Sequence, residues 1–287
     1  MRWWIGLSFV LLFPSRALAL ELPELAARTN PSVVLLTLAD ASGAKLGNGT
    51  GFFVSADGRM ITNFHVIQGA SSVSATLSDG HEIKILGVLA ADPARDIAVL
   101  KAEGPPFPAL PLGDSQVIRP GDEVVVIGSP LGLSGTVSAG IVSAVREKGV
   151  FQDDPALPRR ILDNKNVPAT QSWGIQITAA ISAGSSGSPI MTRSGDVIAV
   201  AVGTRLDGQS LNFGVPIQVA KELLSGIDAG ATPKPLAAFA RATSKDRAQG
   251  PEVLTNLGIS AAVFAGVALV YFLVSRILSA FGRRRSR

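Results

Sequence analysis

The chain has 287 residues, 47% of them hydrophobic and 17% charged, which excludes a disordered polymer and suits one or two packed domains. It has no cysteine and two histidines, His65 and His81, so disulfides, thiolate zinc sites and cysteine nucleophiles are excluded and no clustered ligand set for a metal is seen. The net charge of +4 is carried by the ends: residues 20–256 hold 19 basic and 22 acidic side chains, and without clustered cations on the body nucleic acid is not an expected partner.

In chain order, residues 1–19 have a basic start at Arg2, an apolar run over 3–13 and the tripeptide Ala17-Leu18-Ala19. This is the pattern of a secretory signal peptide cut after Ala19. From about 30 to 228 the sequence is a series of short β-branched runs separated by Gly, Asp, Ser and Pro. Strands are predicted over 32–38, 51–55, 72–77, 83–89, 97–101, 123–127, 140–145, 174–178, 197–202 and 211–215. Turn signals such as Ala56-Asp57-Gly58 and Ser78-Asp79-Gly80 fall between them. That many short strands predicts an all-β sandwich or barrel architecture.

Gly104-Pro105-Pro106-Phe107-Pro108 breaks the β pattern and divides it into halves over about 30–104 and 110–228. Residues 147–170 are polar and read as a long surface loop, and 218–225 has a helical pattern. Residues 229–255, rich in Ala, Thr, Pro and Lys, read as a linker. Residues 257–274 then run for 18 positions without a charge, followed by Arg276 and the arginine cluster at 283–287. Such a run, about 27 Å as a helix, predicts a membrane span over 256–278, with the basic tail 279–287 on the cytoplasmic side. The lipid bilayer is therefore an expected partner through this helix.

Three segments carry candidate chemistry. A hydroxyl nucleophile needs a neutral imidazole to take its proton, a carboxylate to hold that imidazole, and backbone donors for the oxyanion. Gly184-Ser185-Ser186-Gly187-Ser188-Pro189 offers a serine whose flanking glycines allow a sharp turn. His65 ends the apolar segment Met60-Ile61-Thr62-Asn63-Phe64-His65, and Asp96 opens the run Asp96-Ile97-Ala98-Val99-Leu100-Lys101. Taken singly, each is ordinary: a core histidine, a turn aspartate and a Gly/Ser loop. Their order along the chain, His, Asp, Ser, is that of the chymotrypsin arrangement and differs from those of subtilisins and α/β-hydrolases.

These segments, with Gly49-Thr50-Gly51-Phe52-Phe53-Val54-Ser55, Leu112-Gly113-Asp114-Ser115, Ile127-Gly128-Ser129-Pro130-Leu131-Gly132-Leu133, the stretch 176–190 and Leu211-Asn212-Phe213-Gly214-Val215-Pro216-Ile217, resemble HtrA/Deg-type serine proteases, a branch of the chymotrypsin-like peptidases. The resemblance covers about 30–225. It implies a chymotrypsin-like double β-barrel of two six-stranded barrels within a protease domain over 20–228, with the active site in the cleft between them. It implies Ser186 as nucleophile, His65 as general base and acid, Asp96 as the residue fixing the imidazole, and the N–H groups of Gly184 and Ser186 as the oxyanion hole. Ser182 and Ala183, with Asn212, Phe213, Gly214 and Val215, are implied to shape the specificity pocket for a small or aliphatic residue. No cofactor is implied.

Ser185 and Ser188 depart from the more usual Gly-Asn-Ser-Gly-Gly-Pro, and the stretch 229–250 is too short for the PDZ domain that relatives carry there. The implied partners are protein or peptide substrates, and relatives are typically homotrimers. The expectation is a membrane-anchored endopeptidase whose protease domain faces the periplasm, the single-pass helix lying in the inner membrane. Its substrates would be unfolded or regulatory envelope proteins. The alternative is a catalytically silent binding or scaffold module.

Overall fold

The computed structural model describes residues 20–104, 106–146, 174–204 and 209–240. The expected signal peptide, the whole surface loop at 147–170, the membrane span and the basic tail lie outside these residues. Among the described residues no helix is long and apolar enough to cross a membrane.

After helix α1 (Leu22–Thr29), six strands close the first barrel: β1 (Val33–Ala39), β2 (Lys45–Phe53), β3 (Arg59–Thr62), β4 (Ser72–Thr76), β5 (Glu82–Asp92) and β6 (Ile97–Ala102). A one-turn helix, α2 (Phe64–Ile67), follows β3. Six more strands close the second barrel: β7 (Glu123–Gly128), β8 (Thr136–Val145), β9 (Ile175–Ile177), β10 (Pro189–Met191), β11 (Val197–Thr204) and β12 (Asn212–Pro216). The orders are β1-β2-β3-β6-β5-β4 and β10-β11-β12-β9-β8-β7, all pairings antiparallel. This is the chymotrypsin-like double barrel. Closure leaves no free sheet edge for a neighbouring chain to extend.

Strands β3 and β10 are additions to the predicted set. Each has three or four residues, too few to display a period, and each is fixed by pairing: Met60 opposite Phe53 and Leu100, Ile190 opposite Val126 and Ala199.

Alternation along the strands builds three cores. Val34, Leu36, Phe53, Met60, Val88 and Leu100 fill the first barrel. Val124, Val126, Val142, Ile175, Ile177 and Ile198 fill the second. The opposite faces of the same strands make the third core between the barrels, where Phe52, Ile61 and Ile97 meet Val125, Ile127, Val200, Val202, Phe213 and Val215. Strands buried on both faces read as continuous apolar runs, as in Val124-Val125-Val126-Ile127. Helix α3 (Ile217–Ser225) adds Ile217, Val219 and Ala220 to the third core.

The linker reading of 229–255 needs correction at its start. Val88 and Lys234 exchange backbone hydrogen bonds, each 2.8 Å, as an isolated antiparallel bridge. Gly87, at φ +149, permits this approach, since a Cβ there would stand 2.4 Å from the Lys234 carbonyl oxygen. Leu236 is buried against the first-barrel core, and Phe239, in α4 (Ala237–Ala240), meets Phe64 edge to face at 6.4 Å. Two large apolar anchors set among Pro235, Ala237, Ala238 and Ala240 are too few to establish a period, so composition alone reads this segment as a tether. Leu236→Ala should destabilise the protein by about 2 kcal/mol, measured by urea unfolding, if this segment belongs to the folded body; an unchanged midpoint would return it to the linker.

Candidate active site

His65 lies on α2, whose four residues are all buried, and Asp96 lies in the turn joining β5 to β6. Asp96 has φ +57, a left-handed conformation that Asp tolerates better than most side chains. In this conformation it makes four contacts with the segment before and within α2. Its carbonyl oxygen accepts from Asn63 Nδ2 at 3.0 Å and from the Phe64 N–H at 3.3 Å. One carboxylate oxygen accepts the His65 N–H at 2.9 Å, and the other meets His65 Nδ1 at 2.7 Å. A carboxylate only accepts, so Nδ1 carries a proton, and in the neutral imidazole Nε2 presents its lone pair. Asp96 is wholly buried and His65 nearly so, which strengthens the pairing relative to water.

The turn that carries Asp96 is braced from outside. Arg95 donates from its backbone N–H and its Nε to the Asp92 carboxylate at 2.9 and 2.6 Å, and from Nη1 to Glu222 on α3. Burial pushes the Asp92 carboxyl up, but the Arg95 hydrogen bonds outweigh it and hold the group below the ordinary carboxylate range. The same contacts, with Glu222 first, raise the Arg95 guanidinium. A lowered carboxylate stabilises the fold above its unfolded value and loses that contribution as pH falls through the lowered one, so this brace weakens in acid.

Ser186 comes from the second barrel, in the loop preceding β10, and is buried. Its hydroxyl donates to the Val202 carbonyl oxygen at 2.9 Å, and among the described residues no hydrogen bond joins it to His65. The peptides around it are fixed one by one. The Ala183 carbonyl accepts the Leu131 N–H at 2.8 Å, and the Gly184 carbonyl accepts the Thr50 hydroxyl at 2.8 Å. The Ser185 carbonyl accepts the Ser188 N–H at 2.9 Å, and the Ser186 carbonyl accepts the Thr50 N–H at 2.8 Å. The N–H groups of Ser185 and Gly187 are bonded to Ser182 and Ala201. Those of Gly184 and Ser186 have no partner among the described residues. Since a peptide is planar, holding the carbonyl on one side directs the N–H to the other.

The expected specificity residues separate into two groups. Ser182 and Ala183 are exposed beside the loop, and Ser182 lines a cavity of about 240 Å³ together with Ile181, Ser185, Val126 and Val137. Asn212, Phe213, Gly214 and Val215 are buried instead. Phe213 and Val215 belong to the core between the barrels, and Asn212 donates its amide to the Ala179 carbonyl at 2.8 Å. Their strand pairs with β9 and β11 beside the loop of Ser186. His81 sits in an exposed turn paired with Asp79. Among the described residues no cluster of ligands suits a metal.

Sequence reading missed Thr50, Asn63, Leu131 and Val202. Thr50 stands between two glycines in a motif already noted, which is the one available signal. The others act through backbone groups, or through an amide that folding alone brings to Asp96.

Comparisons with known proteins bear on the family of the chain. Two curated proteins named probable periplasmic serine endoprotease DegP-like are similar to the chain. That of Hahella chejuensis is 40% identical over 190 residues, 64% of this chain and 36% of its own length. That of Halomonas elongata is 38% identical over 178 residues, 61% of this chain and 34% of its own length. The chain thus spans little more than a third of these relatives. Among solved structures, the HtrA-type protease AlgW with tripeptide superposes with a TM-score of 0.59 at 28% identity, covering 71% of this chain and 62% of AlgW. A sequence profile described as the trypsin-like peptidase domain matches residues 49–200, over half of the protein and inclusive of His65, Asp96 and Ser186. The chain belongs to the trypsin-like peptidase family.

Proposed function

We propose that the protein is an HtrA-type serine endopeptidase acting on unfolded or regulatory proteins of the bacterial envelope. The buried His65–Asp96 pair carries this reading, because it supplies an oriented imidazole with a free Nε2. In the proposed reaction Ser186 rotates about its Cα–Cβ bond, exchanges the Val202 carbonyl for His65 Nε2, and attacks the scissile carbonyl carbon as Nε2 takes its proton. The N–H groups of Gly184 and Ser186 receive the oxyanion, a term worth about 3 kcal/mol per donor in the transition state. His65 then protonates the leaving amine, and water, activated by the same imidazole, releases the acyl group from Ser186.

The alternative of a silent binding module draws on the Ser186–Val202 hydrogen bond. Hydroxyl side chains change partners by rotation between staggered positions, and hydrogen bonds in unliganded sites commonly tighten when substrate binds, so this resting contact does not oppose the peptidase reading. The uncharged residues Ser182, Ala183 and Ile181 beside the loop favour a small or aliphatic side chain before the scissile bond.

The periplasm is supported by the names of the relatives, and the membrane anchor by the charge-free run at 257–274. A homotrimer is carried over from the resemblance. A fluorophosphonate probe should label the wild type and leave Ser186→Ala unlabelled at an unchanged melting temperature; equal labelling of the two would refute the assignment. Asp96→Asn should keep the fold and lower kcat about 10⁴-fold by releasing the wrong imidazole tautomer; a loss under tenfold would count against the His65–Asp96 role. The full chain should stay with membranes through an alkaline carbonate wash, and its release into the supernatant would remove the anchor.

A further inference from the structure

Thr50 is wholly buried on β2 of the first barrel, yet three of its polar atoms' bonds reach across to the second. Its N–H donates to the Ser186 carbonyl at 2.8 Å. Its hydroxyl donates to the Gly184 carbonyl at 2.8 Å and accepts the Ser129 N–H at 3.1 Å. Ser129 and Leu131 belong to one turn, and Leu131, in the left-handed region at φ +53 and ψ +20, donates its N–H to the Ala183 carbonyl at 2.8 Å. One hydroxyl therefore holds the Gly184 carbonyl directly and, through Ser129, the turn that holds the carbonyl before it.

The control matters because of Gly184. With φ +91 and no side chain, it is the residue at which a neighbouring peptide reverses most readily. Reversal of the Ala183–Gly184 peptide would turn its carbonyl toward the cleft and its N–H away, replacing an oxyanion donor by an acceptor. The turn is packed close enough to sense this: a Cβ on Gly184 would stand 2.8 Å from the Ser129 oxygen and 3.0 Å from the Leu131 nitrogen. The Thr50 hydroxyl has its proton and one lone pair used, in a site that excludes water, so its two bonds are directional. Thr50 itself is fixed by its carbonyl, which accepts the Thr62 hydroxyl at 2.7 Å three residues before His65.

We propose that the Thr50 hydroxyl is a positioning group for the oxyanion site, a first-barrel side chain that sets the direction of the Gly184 N–H in the second. The assignment rests on the peptidase reading above and deepens it. Thr50 touches neither substrate nor the reacting atoms, so its loss should act on transition-state stabilisation and leave ground-state binding nearly intact.

The test uses the full chain with a fluorogenic peptide bearing valine before the scissile bond, and a peptide boronic acid of the same sequence as oxyanion mimic. Thr50→Val, equal in shape and lacking the hydroxyl, should lower kcat about 10²-fold, near the loss seen on removing one oxyanion donor, with KM changed less than threefold. Boronate affinity should fall in parallel with kcat, and Thr50→Ser should restore both. Should Thr50→Val misfold, Thr50→Ser and Thr50→Ala decide: both are smaller than the native side chain, and the serine variant should exceed the alanine variant at least tenfold in kcat. Equal kcat in that pair, or a rise in KM with kcat and boronate affinity unchanged, would overturn the assignment. An inactive wild type, or turnover equal to that of Ser186→Ala, would instead overturn the peptidase reading and the positioning role with it.

Discussion

His65 and Asp96 stand on the first barrel and Ser186 on the second, so everything at this site depends on the packing of one barrel against the other. That packing is an apolar layer. Phe52, Ile61 and Ile97 on one side face Val125, Ile127, Val200, Val202, Phe213 and Val215 on the other, all at most 2% exposed. Burying a large aliphatic or aromatic side chain contributes about 1.5–3 kcal/mol, but such contacts have no direction of their own. The layer holds the barrels together and leaves a small slide or rotation weakly opposed.

Direction comes from the few polar links that cross or border this layer. Glu222 on α3 reaches Arg95 in the turn of Asp96, and Thr50 reaches Gly184, Ser186 and Ser129. The two links differ in burial, and so in consequence. The Arg95–Glu222 pair is substantially exposed and screened by solvent and salt. The Thr50 hydrogen bonds are buried, where an unmade bond leaves a carbonyl or an N–H without water. Coupling between the barrels should therefore run mainly through the neutral hydroxyl, and respond weakly to ionic strength.

The sequence disclosed the fold because alternation and turn residues are local. Runs such as Val124-Val125-Val126-Ile127 and turns such as Ser78-Asp79-Gly80 carry their own signal, so most strands were legible to within a few residues. β3 and β10 were not, since their existence is decided by partners remote in sequence. Of the site, the side-chain chemistry of His65, Asp96 and Ser186 was legible through residue type, order and resemblance. The backbone part was legible only where glycine marks it, at Gly184. The left-handed Leu131 and the carbonyl of Val202 have no residue-type signature at all. The late strand Asn212–Pro216 was legible as a strand through its apolar run, and its burial follows from packing in the core between the barrels.

The position of the Ser186 hydroxyl then has a physical explanation. In the resting molecule a buried hydroxyl needs an acceptor, and the Val202 carbonyl on β11 supplies one without charge separation. In the proposed reaction, pairing with His65 Nε2 becomes favourable once a scissile carbonyl approaches and the resulting negative charge has two N–H groups to receive it. The arrangement of those N–H groups is therefore the condition for leaving Val202, and it is set in advance by the Ala183 and Ser185 carbonyls that Leu131 and Ser188 hold, with Thr50 fixing the turn of Leu131 through Ser129. The imidazole, oriented by a wholly buried carboxylate, needs no comparable rearrangement. On this view the proposed site is governed by the backbone of 183–187, to which the Ser186 side chain responds.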